Sequence, residues 1–244
     1  MSYAIIGLGK IGTAIAQAFA RQGIEVTVAG RRPLEALAAQ IGPSLVAQRI
    51  EDAVKADVVI LAVPFATHPD IGRAPESWQG KVVIDATNAF DVPPQELDGL
   101  PSTTAVAKAF PGAKLVKAFN HLPAGTLAQG PKMPQGGRRV VFISSDDDAA
   151  SASVATLVER LGFAPIELGK IGEGGLLIQA RGRTWGHLIF QDLDSPPVVV
   201  RGPLYASLHA GVQLVELLLE SHDHPGKGER LPGGRTRSGQ GRQV

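Results

Sequence analysis

The sequence predicts an α/β fold, a Rossmann-like, doubly wound and mainly parallel sheet with a small helical portion towards the C-terminus. Three observations predict it. Short runs rich in Val, Ile and Leu alternate with helical stretches over most of the 244 residues, as when helices cover both faces of a parallel sheet. Residues 57–63 form a continuous apolar run stopped by Pro64, which suits a strand buried on both sides. The chain opens on Ala4-Ile5-Ile6-Gly7-Leu8-Gly9-Lys10-Ile11-Gly12, a strand entering a glycine turn and then a helix.

That opening stretch carries chemistry as well as structure. Gly7 permits the tight turn, Gly9 lets a pyrophosphate lie against the backbone, and Gly12 lets the helix sit close to the strand. Phosphates would meet the free N–H groups and positive dipole end of the helix starting near Lys10, so Leu8, Lys10 and Ile11 belong to the expected cofactor loop. Ile11, Ile15, Ala18 and Phe19 line one face of that helix.

Gly23 ends the helix, and residues 25–30 read as the second strand. A unit that binds NAD places an Asp or Glu here for the ribose 2′-hydroxyl. This strand ends instead in Ala29-Gly30-Arg31-Arg32. Forked guanidinium donors suit a phosphate, so Gly30, Arg31 and Arg32 point to NADP; the alternative is a pair of solvated turn residues. Residues 33–41, opened by Pro33 and closed by Gly42, read as a second helix. Strands are expected at 45–48, 57–63, 81–85, 114–119, 138–143 and 163–166. Asp146, Asp147 and Asp148 precede a helix at 149–161 and read as its cap rather than as a metal site.

Residues 201–220 carry Leu204, Leu208, Val212, Val215 and Leu219 at helical spacing. Residues 221–244 show no apolar periodicity and read as a disordered tail. His222 and His224 lack a surrounding ligand framework, and no metal is expected. The expected division is an NADP-binding Rossmann domain at 1–168, a small acceptor or dimer portion at 169–220, and the tail.

A net charge of +1 gives no reason to invoke nucleic acid or a membrane surface. Cysteine is absent, which excludes disulfides and thiolate nucleophiles. Neither a secretory signal nor an apolar run long enough to span a membrane is visible, and the cytoplasm is the expected location.

Taken together, residues 7–12, Ala29-Gly30-Arg31-Arg32 and Val63-Pro64-Phe65 with His68 resemble the NADPH-dependent oxidoreductases that act on the 5-deazaflavin coenzyme. So do Lys117-Ala118-Phe119-Asn120-His121-Leu122-Pro123, residues 139–147, and Leu161-Gly162-Phe163-Ala164-Pro165 running on to Glu173-Gly174-Gly175. The resemblance covers roughly residues 1–190 and ends beyond about Gln191. It implies hydride exchange between a nicotinamide and a deazaflavin or flavin-type acceptor, and a homodimer.

Ligands of such sheets lie outside the carboxyl ends of the strands. Val63, Pro64 and Phe65 are expected along the nicotinamide riboside, with Phe65 either a flat wall or plain core, and His68 and Asn88 join the cofactor set, a structural place being the alternative for His68. Asn120, His121 and Leu122 follow the 114–119 strand and are expected beside the acceptor ring, a structural place being the alternative for His121. Hydride passing between two rigid rings needs stacking more than a proton donor, so no catalytic acid is expected. Two other functions fit the fold: reduction of a small imine or hydroxy acid, and NADPH sensing without catalysis.

Overall fold

The computed structural model describes residues 1–90, 92–97, 100–134, 136–180 and 191–192. The expected helix at 201–220 and the tail lie outside them. In chain order the elements are β1 (Tyr3–Ile6), α1 (Lys10–Arg21), β2 (Val26–Ala29), α2 (Glu35–Ile41), β3 (Leu45–Ala47), α3 (Ile50–Ala53) and β4 (Val58–Leu61). Then come α4 (His68–Gly72), β5 (Val82–Asp85), α5 (Ser102–Ala109), β6 (Lys114–Ala118), α6 (Ala124–Ala128), β7 (Arg138–Ser145), α7 (Asp148–Arg160), β8 (Ala164–Glu167), α8 (Gly174–Ile178) and a two-residue β9 (Gln191–Asp192). Short 3-10 turns occupy Phe65–Thr67 and Pro94–Leu97.

The sheet order is β3-β2-β1-β4-β5-β6-β7-β8. From β3 to β6 all pairs are parallel, β7 runs antiparallel to β6, and β8 follows β7 in parallel. The chain leaves β1 toward β2 and β3, then crosses back to β4 on the other side. Strand order reverses between β1 and β4, and there a crevice opens at the carboxyl ends.

Period-two alternation divides the strand side chains between two cores. Ile5, Val28, Ile60, Ile84 and Val116 face one side, packed with Ile15 and Phe19 of α1 and with Val154, Leu157 and Val158 of α7. Ala4, Ile6, Val59, Leu61, Val83 and Leu115 face the other, beneath Ile71 of α4, Trp78, and Val106 of α5. Burial on both faces explains why these strands read as apolar runs. The cap expected from the aspartate triplet is made by Asp147, whose carboxylate accepts the Ala150 N–H at 2.8 Å.

The 114–119 strand stops one residue early. Phe119 adopts φ 63°, the only non-glycine residue at positive φ among those described, so Ala118 is the last residue of β6. The Phe119 ring is fully buried and meets Phe163 edge to face. A bulky residue in this conformation is strained, and burial of its ring holds it there. The turn aims Asn120 and His121 away from the strand line.

Candidate active site: a dinucleotide cleft with guanidinium groups at its mouth

The glycine turn is built by close approach. Gly7 has φ +97°, and its N–H donates to the Ala29 carbonyl of β2 at 2.7 Å. A Cβ at Gly12 would lie 1.8 Å from the Gly7 carbonyl oxygen, so the helix packs on the turn only without a side chain there. Gly9 is different: a Cβ there meets nothing within 4 Å. It is the N-cap of α1, no side chain caps that helix, and its first turn holds no acidic residue. Unsatisfied N–H groups and the helix dipole therefore face open space, which suits a phosphate.

A cleft of about 910 Å³ runs from this turn across the strand ends. Gly7, Leu8, Gly9, Gly30, Arg31, Arg32, Val63 and Pro64 line it, as expected from the sequence. Lys10 and Ile11 open α1 beside the turn, and buried Gly12 lies beneath it. Arg31 and Arg32 are exposed, and neither forms a hydrogen bond or ion pair among the described residues. Ile50, Thr67, Ile71 and Ala74 supply further walls. Of these, Ile50 was detectable in sequence as a residue just past a strand end.

Phe65 and His68 turn inward, so of their two readings the structure has the buried one and not the cofactor wall. The 3-10 turn and α4 place positions three apart on one inner face, so the two rings pack together with centroids 4.8 Å apart. His68 Nδ1 lies 2.5 Å from the Phe65 carbonyl oxygen, and both side chains are buried, Phe65 within the second core. The wall of the cleft is made by Val63 and Pro64.

Beyond the cleft, the ends of β5 and β6 are joined by polar side chains. Asn88 Nδ2 donates to the Asn120 carbonyl at 2.8 Å, and Asn120 Nδ2 donates to Asn88 Oδ1 at 3.1 Å and to the Ile178 carbonyl at 2.8 Å. The Ser102 N–H donates to Gln179 Oε1 at 2.6 Å. The segment after α8 is thereby tied across the strand ends. Asn120, His121 and Leu122, expected beside the acceptor, are all buried and lie outside the cleft. The two Asn120 donor contacts hold protein.

His121 packs against Phe142 at 5.0 Å, and neither ring nitrogen makes a well-aligned hydrogen bond. Burial pushes its pKa down to about 4, partly opposed by the Val140 backbone carbonyl. The ring is neutral at neutral pH.

Beneath this cluster lies an ion pair that sequence reasoning missed. Lys117 Nζ donates to Asp85 Oδ2 at 3.0 Å, with both side chains wholly buried. Thr103 donates to the same oxygen at 2.6 Å, and Thr87 donates to Oδ1 through both hydroxyl and N–H. Burial alone would raise the Asp85 pKa, but the Lys117 charge and the hydroxyl donors outweigh it and hold the carboxyl below its ordinary value. Among the described residues, no group of three or more His, Asp or Glu side chains could hold a metal ion.

The family model for "NADP oxidoreductase coenzyme F420-dependent" matches residues 2–89, the segment that contains the glycine turn, the arginine pair and the wall at Val63-Pro64. A hypothetical protein of Sinorhizobium meliloti is 40% identical, with a TM-score of 0.74 over 79% of this chain and 96% of that one. The chain belongs to the F420-dependent NADP oxidoreductase family. A protein of Arthrobacter sp. FB24 assigned as an F420-dependent NADP-reductase is 29% identical, with a TM-score of 0.55 over 70% of this chain and 86% of that one. Metalloreductase STEAP3 of Rattus norvegicus is 29% identical over 173 residues, 68% of this chain but 33% of the relative. The chain thus spans about a third of the length of the curated relatives it matches. No helix of the described residues is long and apolar enough to cross a membrane.

Proposed function

We propose that this oxidoreductase holds NADPH in the cleft at the β1/β4 crossover and passes hydride to a deazaflavin or flavin-type ring. The observation that carries the reading is the exposed Arg31–Arg32 pair at the end of β2, on the same cleft as the open first turn of α1. The residues present fit the dinucleotide. Leu8 and Gly9 would face the pyrophosphate with backbone N–H groups over the turn that Gly7 makes, Arg31 and Arg32 the 2′-phosphate, and Val63 and Pro64 the nicotinamide riboside.

When bound, NADPH supplies the hydride; the chain's own part is orientation and exclusion of water. Pro64 fixes the exit of the chain from β4, and Val63 presents an apolar edge. The Asn88–Asn120 amide pair and the buried Asp85–Lys117 pair keep the ends of β5 and β6 in one arrangement beside that edge. His121, being neutral and buried, shapes the support and is not assigned a proton. This agrees with a reaction needing close approach of two rings.

The deazaflavin reading draws support from the family's description. In solution the protein is proposed to be a cytoplasmic homodimer. The test is to mix the protein with NADPH and, separately, a deazaflavin, FMN, FAD and a cyclic imine. Acceptor-dependent loss of NADPH absorbance with the deazaflavin is the expected result. Turnover with the imine alone would move the function to imine reduction, and tight NADPH binding without turnover would favour a sensing role.

A further inference from the structure

Arg31 and Arg32 have a neighbour on the next strand. A hollow of about 800 Å³ adjoins the cleft, bounded by Gly30, Arg31 and Arg32 on one side and by Gln48 and Arg49 on the other. Register brings Arg49 there. β3 runs parallel to β2 with Ala47 opposite Val28, and the Gln48 N–H donates to the Val28 carbonyl at 3.0 Å. The two strands end almost level, so the residues after each emerge side by side.

The charges around this hollow are unequally engaged. Lys55 is paired with Asp52 at 2.7 Å. Arg49 lies with Nε 3.2 Å from Glu51 Oε2, and among the described residues its terminal guanidinium nitrogens make no hydrogen bond. Glu51 in turn lines the dinucleotide cleft. A carboxylate at that place would repel a phosphorylated ribose unless a cation accompanied it.

We propose that Arg49 is a specificity-determining residue of the dinucleotide site, giving the 2′-phosphate a third guanidinium and masking the Glu51 carboxylate. The inference rests on the reading of Arg31 and Arg32 as the 2′-phosphate site. Those two come from one turn and reach a phosphate from one side, whereas Arg49 reaches it from the adjacent strand end. A phosphate monoester has three terminal oxygens to satisfy, and forked donors from two directions satisfy more of them than one turn can. Arg49 is solvent-exposed, so its effect should weaken as salt rises.

The test compares NADPH and NADH affinities, by fluorescence titration at low and high salt, for wild type, Arg49→Gln, Glu51→Gln, the double variant and Arg31→Ala. Arg49→Gln should weaken NADPH about tenfold at low salt and leave NADH unchanged, the size of one charge-assisted contact. Glu51→Gln should tighten NADPH, and the double variant should lose less than Arg49→Gln alone. If Arg49→Gln shifts both cofactors equally, or neither, the role of Arg49 is overturned. Should Arg31→Ala abolish the preference while Arg49→Gln leaves it intact, only the Arg49 assignment falls. If Arg31→Ala also leaves the preference intact, the underlying phosphate site is wrong.

Discussion

Asp85 and Lys117 stand directly opposite each other across the parallel pair β5–β6, joined at 3.0 Å with both side chains out of contact with water. The pair is placed where the strands end and the site begins. Lys117 also donates to the Thr87 carbonyl at 3.3 Å, so one ammonium secures both the end of β5 and the loop that leads to Asn88. Two buried charges are tolerated because Thr87 and Thr103 supply further donors to the carboxylate.

Removing one partner should be far more damaging than removing both. Lys117→Met leaves a buried carboxylate uncompensated and is expected to destabilise the protein by roughly 3–5 kcal/mol in urea denaturation. The double variant Asp85→Leu/Lys117→Met should recover part of that, though the Thr87 and Thr103 hydroxyls lose their acceptor. Equal stability of the single and double variants would contradict this account.

Stability should fall on mild acidification, and His121 sets the window. Its folded pKa is depressed by burial from 6.5 to about 4. Above pH 6.5 neither folded nor unfolded state binds the proton. Between 6.5 and about 4 only the unfolded state does, so stability declines with falling pH by an amount on the order of 3 kcal/mol. His121→Phe should flatten this interval. Asp85 acts at lower pH: its folded pKa is held below 3.8, so its contribution is present above that value and disappears as pH drops through the folded one.

Two glycines of one turn should fail in opposite ways. Gly12→Ala drives a Cβ against the Gly7 carbonyl, and thermal melting should show a large loss of stability. Gly9→Ala meets only open space, so stability should change by no more than about 0.5 kcal/mol. NADPH binding should nevertheless drop sharply, because the methyl group occupies the path of the pyrophosphate. A Gly9→Ala protein that binds NADPH normally would remove the turn from the cofactor site.

What was legible in the sequence were features with a local signature. The apolar runs of β1, β4 and β5 announce strands because both faces are buried, and Gly7 and Gly12 announce their turn because no side chain fits at either, with Gly9 between them leaving room for a phosphate. The arginine pair was visible because it stands where a carboxylate belongs. Contacts between distant segments were not visible. Asp85 and Lys117 meet only through the register of β5 and β6, and Arg49 shares a hollow with Arg31 only because β2 and β3 end together. Nothing local marks Phe119 for positive φ, since burial of its ring against Phe163 decides it. The inward turn of Phe65 and His68 follows from a short 3-10 segment with no periodicity to read. The alanine-rich α5, Ser102–Ala109, and the four-residue α3 gave too little apolar pattern to be expected at all.

Paired guanidinium groups that recognise an adenosine bearing an extra phosphate are the centre of the proposed site. Calorimetric titration of NADPH and NADH into wild type and an Arg31→Ala/Arg32→Ala variant tests it most directly. The wild type should hold NADPH at least about tenfold more tightly, equivalent to one charge-assisted contact, and the variant should bind the two alike through loss of NADPH affinity only. Equal affinities in the wild type, or an unchanged preference in the variant, would contradict it.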